Sequence, residues 1–440
     1  MRLLPLLLFG ALACKQADPL PIQPIDDTPS TTAPGVQCDT CKYPVVMVHG
    51  FLASGDTWAK FHQLFTSNGY KPDQLYAFDW NSLNQFGAAG TVQQLDAFID
   101  KIRAKTNAPK VRLMGHSAGG GISYTYLSDA ARAAKVDGYA HIGSAVQSGP
   151  AGPGGSVPTL NLWSSADAVV QGGDIAGATN VQLTNKDHYE VATSKESFAA
   201  VWQFFHTQPP ATLDIVPEPV VCIGGKVLYF GENTPLLNAK VEIYKVNPAT
   251  GERLTADPWE TWLSDSLGFW GPTNVEPNTT YEFVTTPPAP GQRRIHYFRE
   301  GFVHLNTLVY LRTIPPPTSL AGVLLASLPS SEGQTVMNVF SASQAIIHGR
   351  DELVVSGSVL STPQYASPDK TAIAYFLYDD GDNQTELTPV GLFGTFPFLN
   401  GVDMYFPTAT PSTIPVVFNN RQLNVRNIKS SQGIVVSVFD

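Results

Sequence analysis

Apolar positions in the first half of the chain follow two rhythms. Short apolar runs recur as VVMV (45–48), LYAF (75–78), KVRLM (110–114) and TLNLWS (159–164). Runs of this length with few polar breaks are expected of strands buried on both faces. Between them the apolar positions change to helical spacing. DTWAKFHQLFTSNGY (56–70) brings Trp58, Phe61, His62, Leu64 and Phe65 to one side and stops at Gly69. TVQQLDAFIDKIRAKT (91–106), a segment beginning near Ala118, and KESFAAVWQFF (195–205) repeat the pattern, and GYAHIGSA and VQL add further strands. The order βαβαβαβ predicts an α/β domain with a mainly parallel sheet over residues 44–208.

After the Pro-rich connector HTQPPATLDIVPEP (206–219) the helical spacing stops. KVLYF, AKVEIYKV, TTYEFVTT and NTLVYLRTI are β-branched and aromatic runs, separated by GENTPL, NPATGE and EPNTT, which are turn chemistry. They predict an all-β, sandwich-like domain over residues 220–314. A second break at PPPTS (315–319) leads to ELVVSGSVL, AIAYFLY and GIVVSVF, hence a C-terminal β domain over residues 318–440. No sustained internal repeat is visible.

The N-terminus differs from both. Met1 and Arg2 precede LLPLLLFGALAC, one charge and a short apolar stretch ending in small residues, the layout of a signal peptide over residues 1–14. Spanning a bilayer takes roughly 20 apolar residues, more than this stretch has. Cys14 resembles the lipid-modified cysteine of bacterial lipoproteins, with Ala11 where that pattern prefers Leu. Residues 15–43, rich in Pro and Thr, read as a tether between such an anchor and the first domain. The expected location is secreted or cell-surface, with attachment through an acylated Cys14.

The composition, 43% hydrophobic and 15% charged, is that of a globular protein, and a net charge of −10 excludes the basic face that nucleic acid needs. Once Cys14 is set aside, Cys38, Cys41 and Cys222 leave one thiol over whichever pair forms. CDTC (38–41) precedes Tyr43-Pro44 rather than a helix and lacks a second ligand pair, so a structural staple fits better than a redox or zinc motif.

Candidate chemistry centres on Gly115-His116-Ser117-Ala118-Gly119. A serine between glycines, with a strand before it and helical spacing after it, fits a nucleophile on a strained strand-to-helix turn. A serine hydroxyl needs a base, and the base needs an orienting carboxylate. Downstream, Asp167 follows the strand run NLWS and His188 follows VQL, both at strand ends. Asp174 competes for the acid role, whereas Asp187 is expected to point away from its neighbour His188. His116, His141 and His206 read as structural. The oxyanion donors are expected to be the backbone N–H groups of Ala118 and of Phe51, which leaves VVMVHG.

Together, PVVMVHGF, GHSAGG, the aspartate after LWSSAD and the histidine of DHYE resemble the α/β-hydrolase lipases and esterases across roughly residues 43–208. The β regions behind them resemble those of microbial lipases with a C-terminal β extension. The resemblance implies an α/β-hydrolase fold followed by all-β domains, and cleavage of carboxylic esters, foremost acylglycerols. It also implies Ser117 as nucleophile, His188 as base, Asp167 as its orienter, Phe51 and Ala118 as oxyanion donors, and no cofactor or metal. Leu52 and Trp163 are expected to contact substrate. Alternatives are a polyester depolymerase of the polyhydroxyalkanoate type and a tethered binding protein with a vestigial hydrolase domain. There is no room for a large helical lid between the oxyanion loop and the serine, so residues 81–90 and 146–158 are the expected covers. YDDGDNQTE (378–386) reads as a hairpin turn ahead of a calcium loop, and RRIHYFREGFVHL (293–305) as a strand pair ahead of a lipid or glycan dock.

Overall fold

The structure, a computed structural model, describes residues 41–83 and 89–440. The expected signal peptide, nearly all of the tether, Cys14, Cys38 and half of the 81–90 loop lie outside the described residues.

Six strands form the first sheet: β1 (Val45–Val48), β2 (Leu75–Phe78), β3 (Val111–His116), β4 (Val136–Ile142), β5 (Thr159–Ser164) and β6 (Thr179–Leu183). Their order is β2-β1-β3-β4-β5-β6, and every pair is parallel. Because side chains alternate along a strand, Val45 and Met47 of β1 enter one core layer, and Val46 and Val48 the other. The first layer is closed by α1 (Ala59–Ser67) and by the helix at Lys195–His206, through Phe61, Phe65, Phe198 and Trp202. The second is closed by α2 (Ala89–Thr106) and α3 (Ala118–Leu127), through Leu95, Ile99, Ile122 and Tyr126. Short helices at Ala130–Ala133 and Glu190–Thr193 carry too few residues to leave a periodic signal. Chain order reverses between β1 and β3, so the loops leaving their carboxyl ends flank a topological switch point, where such sheets place ligands.

The β region is layered. Eight strands form one sheet, in the order Leu399–Asp403, Ala374–Tyr378, Met337–Ser341, Ile434–Phe439, Ile295–Arg299, Tyr281–Thr286, Lys240–Lys245 and Glu260–Leu263. The last strand of the chain, Ile434–Phe439, lies between Met337–Ser341 and Ile295–Arg299, parallel to both. The stretches 220–314 and 318–440 therefore share a sheet. One face packs on a three-stranded sheet through Trp270, Ile295, Val309 and Val436, and the other on a four-stranded sheet through Phe298, Val339, Val416 and Val425. Cys41 and Cys222 are both disulfide-bonded, so neither is the leftover thiol.

The two halves meet over polar contacts that are largely buried. Lys226 Nζ lies 2.6 Å from Asp79, Tyr310 Oη donates to the same carboxylate at 3.0 Å, and Arg312 reaches Asp56 at 2.5 Å. Ionic groups removed from water in this way are costly unless paired, and their pairing fixes the mutual orientation of the halves.

Candidate active site

Ser117 directly follows β3 and precedes the first residue of α3, with φ 54° and ψ −124°. A non-glycine residue is strained there by roughly 1–3 kcal/mol, and such strain persists only where the surroundings enforce it. The enforcement is visible. Ser117 N–H donates to Ile142 O at 2.9 Å, and its carbonyl accepts from Ser144 Oγ at 2.8 Å. The neighbouring glycines permit the turn by having no side chain. A Cβ at Gly119 would lie 2.4 Å from His49 O, and one at Gly115 would lie 2.7 Å from both Gly119 O and Ser123 Oγ. Ala118 opens α3, so its N–H belongs to the first turn, where no intrahelical acceptor exists.

His188 and Asp167 leave the ends of neighbouring strands and meet in the interior. His188 Nδ1 lies 2.7 Å from Asp167 Oδ2, and both side chains are almost fully buried. The other carboxylate oxygen, Oδ1, accepts the N–H groups of Val169 and Val170 at 2.9 Å. Burial acts to raise the Asp167 pKa, but the His188 hydrogen bond and the two amides outweigh it and hold the carboxyl below its usual range. An ionised Asp167 accepts the Nδ1 proton and thereby leaves the His188 Nε2 lone pair free. Asp174, the competing acid, is exposed and accepts from Trp163 Nε1 at 3.0 Å.

His116 brings this pair and the serine turn together. Its Nε2–H donates to His188 O at 2.9 Å, and the two imidazole centroids lie 4.7 Å apart. Burial and the nearby His188 lower the His116 pKa to about 3, so it remains neutral and acts on the position of its neighbour. Asp187 does turn away from the imidazole. Its Oδ1 accepts Tyr189 N–H at 2.8 Å and Glu190 N–H at 3.0 Å, and its Oδ2 lies 2.9 Å from Arg350 in the β region. His141 bonds Tyr139 and the Ala145 carbonyl, and His206 bonds Tyr70 and Arg112, each a structural arrangement.

The loop after β1 passes directly over the serine: a Cβ on Gly50 would lie 3.1 Å from Ser117 Cβ. His49, fully buried, donates Nδ1–H to Gly50 O at 2.8 Å and accepts Trp80 N–H at Nε2, 3.2 Å away. Phe51 and Leu52 follow, half-buried, and Leu52 N–H donates to Ser82 Oγ at 2.9 Å. Asn233, from the β region, underpins this loop. Its Nδ2 donates to Ala53 O and Trp80 O, each at 2.8 Å. Asn233 sits in the GENTPL turn, whose composition announces the turn and nothing about its destination.

A narrow cleft of about 30 Å³ next to the His188 loop is lined by Leu52, Ala53 and Tyr189 from the α/β domain, by Phe230, Phe340 and Phe398 from the β region, and by the paired Asp56 and Arg312. Phe398 lies parallel to the His188 ring, centroids 6.2 Å apart. Leu52 is part of this lining and Trp163 is not. The Trp163 indole N–H donates to Asp174, and the side chain packs against Gly172. Residues 146–158 are not among the lining, and Tyr124 Oη ties them down at Gly149 O, 2.7 Å. The cover comes instead from the β region, which no local pattern in residues 44–208 announces. Elsewhere, Asp379, Asp380 and Asp403 have carboxylate oxygens within 4.8 Å of one another; Asp379 accepts backbone N–H groups of its own loop and Asp403 that of Glu386, and the loop is not the expected hairpin turn, because the strands on either side of it, Ala374–Tyr378 and Leu399–Asp403, pair in parallel.

Three stretches of the chain match protein families. Residues 42–148 match the class 2 lipase family, residues 219–316 the lipase C-terminal domain, and residues 338–440 a further C-terminal domain family. Among solved structures, a CIB-like hydrolase from Thermoplasma acidophilum is 19% identical, with 39% of this chain and 89% of that one covered and a TM-score of 0.30. Lipase BlEst2 of Bacillus licheniformis is 16% identical over 40% of this chain and 96% of that one, TM-score 0.31. Lipase B of Aspergillus fumigatus is 18% identical over 39% and 54%, TM-score 0.31.

Proposed function

Starting from a carboxylic ester hydrolase of the α/β-hydrolase lipase and esterase type, with a lipase C-terminal domain behind the catalytic one, we propose that Ser117, His188 and Asp167 act as a nucleophilic triad on acylglycerol esters. Ser117 Oγ attacks the ester carbonyl carbon while its proton passes to His188 Nε2. The negative charge gathers on the carbonyl oxygen, where the N–H groups of Phe51 and Ala118 receive it. Collapse expels the alcohol, which takes the proton from His188 and leaves an acyl-serine. Water, deprotonated by the same imidazole, then releases the carboxylic acid and restores Ser117. Asp167 keeps the Nδ1 proton in place throughout and stabilises the imidazolium.

The observation that supports this reading is the strained Ser117 turn, whose neighbour His116 hydrogen-bonds the backbone carbonyl of His188, with the His188 imidazole held by Asp167. The apolar side chains of Leu52, Phe230, Phe340 and Phe398 near the His188 loop support an ester with an apolar acyl group. We propose that the protein is exported and held at a surface through Cys14. No helix among the described residues is long and apolar enough to cross a membrane.

The test is turnover of p-nitrophenyl butyrate. Ser117→Ala is expected to lose at least about 10³-fold in kcat while remaining folded, and Asp167→Asn a similar factor, with Asp174→Asn unaffected. Full turnover by Ser117→Ala overturns the mechanism. An active Asp167→Asn beside a dead Asp174→Asn overturns the acid assignment alone.

A further inference from the structure

A large cavity of about 970 Å³ opens in the β region and shares no lining residue with the cleft next to the His188 loop. Its wall carries the side chains of Arg253, Arg293, Arg294, Arg426 and Lys429 against one carboxylate, Glu252. This concentration of positive charge occurs in a chain whose net charge is −10. Glu282, fully buried next to Arg253, His296 and Arg426, and Glu332, 2.8 Å from Lys429 Nζ, offset only part of it. Among the described residues Arg294 has no carboxylate within ion-pairing distance, and it is exposed to the opening.

Three polar atoms on this wall lack a hydrogen-bond partner although each is buried: His296 Nε2, Arg426 Nε and Gln292 Oε1. His296 itself is only 6% exposed, and its Nδ1 is committed to Glu282 at 2.7 Å. A buried polar atom left unpaired costs about 1–3 kcal/mol, so three on one wall point to a group that arrives to satisfy them. The remaining lining sets the chemistry of that group. Hydroxyls and amides from Thr250, Ser330, Thr413, Asn427 and Gln432 surround the cations, and Ile428 and Pro411 are the apolar side chains. An acyl chain finds only these two apolar side chains to bury against. A bare phosphate fills a small part of the volume, whereas sites of about 300–1,000 Å³ take ligands of several rings' worth of atoms. Guanidinium groups pair with phosphate oxygens in bidentate fashion, and the hydroxyl-rich wall matches a polyol.

We propose that this cavity binds a phosphorylated polyol, such as a sugar phosphate or the inositol phosphate headgroup of a lipid, at a site separate from the ester-hydrolysing one. The phosphate sits among Arg294, Arg426 and Lys429, and the polyol hydroxyls face the Ser, Thr and Asn side chains. A lipid headgroup held there would keep the enzyme on the surface that supplies its ester substrate, and a soluble sugar phosphate would act as a ligand in its own right.

Isothermal titration calorimetry on the full chain tests this with glucose 6-phosphate, inorganic phosphate and glucose. Sedimentation with phosphatidylcholine vesicles, with and without phosphatidylinositol 4-phosphate, tests the lipid source. Glucose 6-phosphate is expected to bind at least about tenfold more tightly than inorganic phosphate, with glucose silent. Should the phosphoinositide vesicles bind and the sugar phosphate not, the headgroup is the source and the site stands. Arg294→Gln and Lys429→Gln, both at exposed positions, are each expected to weaken binding by about tenfold or more and to leave p-nitrophenyl butyrate turnover unchanged. The proposal is overturned if none of the phosphorylated probes binds by about 10 mM, or if binding survives the Arg294→Gln, Lys429→Gln double variant undiminished.

Discussion

Asn233 offers the sharpest perturbation of the link between the β region and the ester site. Its Nδ2 gives two hydrogen bonds of 2.8 Å to the buried carbonyls of Ala53 and Trp80, and lies 3.3 Å from His49 Nε2. Removing the amide leaves both carbonyls unpaired at about 1–3 kcal/mol each, so about 2–6 kcal/mol is at stake, less whatever an entering water recovers. The backbone adds a second effect. Asn233 has φ 55°, which glycine accepts without strain and alanine resists by roughly 1–2 kcal/mol. Asn233→Gly therefore isolates the hydrogen bonds, and Asn233→Ala adds the backbone cost. The loop set free carries Phe51, whose N–H is assigned to the oxyanion; losing one such donor entirely costs about 2.7–4 kcal/mol of transition-state stabilisation. Partial loosening is expected to reduce kcat on p-nitrophenyl butyrate by about 10- to 10³-fold, with a smaller change in KM, because the contact matters most when charge develops. Thermal unfolding and steady-state kinetics on wild type and both variants measure this. A glycine variant within about 0.5 kcal/mol of wild type in stability and equal to it in kcat would refute the reasoning.

Other consequences concern charge at the interface and in the β core. Burial pushes the Glu282 pKa up, but hydrogen bonds from His296 and Arg253 and the charge of Arg426 pull it down further, from 4.5 to about 2. A carboxylate with a depressed folded pKa contributes stability above its unfolded pKa and loses it as pH falls through the folded one. Here that amounts to about 3 kcal/mol lost between about pH 4.5 and about pH 2, and Glu282→Gln should flatten the fall in Tm over that window. Asp187 behaves in the opposite sense. Burial and the charge of Glu190 raise its pKa to about 6 despite Arg350, so it is ionised above that value and needs its cation there. Arg350→Ala is expected to destabilise by about 1–3 kcal/mol at about pH 8 and by clearly less at about pH 5, where Asp187 is protonated; an equal loss at both values would contradict the assignment. Phe398→Ala, by widening the cleft beside His188, is expected to raise kcat/KM for p-nitrophenyl octanoate relative to acetate by about 10-fold, read from a chain-length series.

Much of the fold is legible in the sequence where a residue's role depends on its near neighbours. VVMV and KVRLM read as buried strands because both faces are covered, and the glycines flanking Ser117 are explained by helix and strand backbones that leave no space for a Cβ. Asp167 and His188 stand out as an acid and a base at successive strand ends, and they do meet. Contacts between distant segments left no comparable mark. Asn233, Arg350 and Phe398 reach the site from the β region, and their sequence surroundings advertise only turns and strands. The parallel pairing of Ile434–Phe439 with Ile295–Arg299 is similarly invisible, since strand periodicity specifies a face and not a partner. The hydrogen bond from the Trp163 indole to Asp174 is likewise unmarked, since a large aromatic at a strand end does not name its partner.

The most direct measurement of the central claim is covalent capture. Incubated with a fluorophosphonate probe at neutral pH, the intact protein is expected to take up one equivalent, and peptide mass spectrometry should locate it on Ser117. His188→Ala should slow the labelling by at least about 10³-fold. A folded, ester-cleaving protein that is labelled at another residue, or that is labelled at Ser117 as fast without the imidazole as with it, would contradict the account.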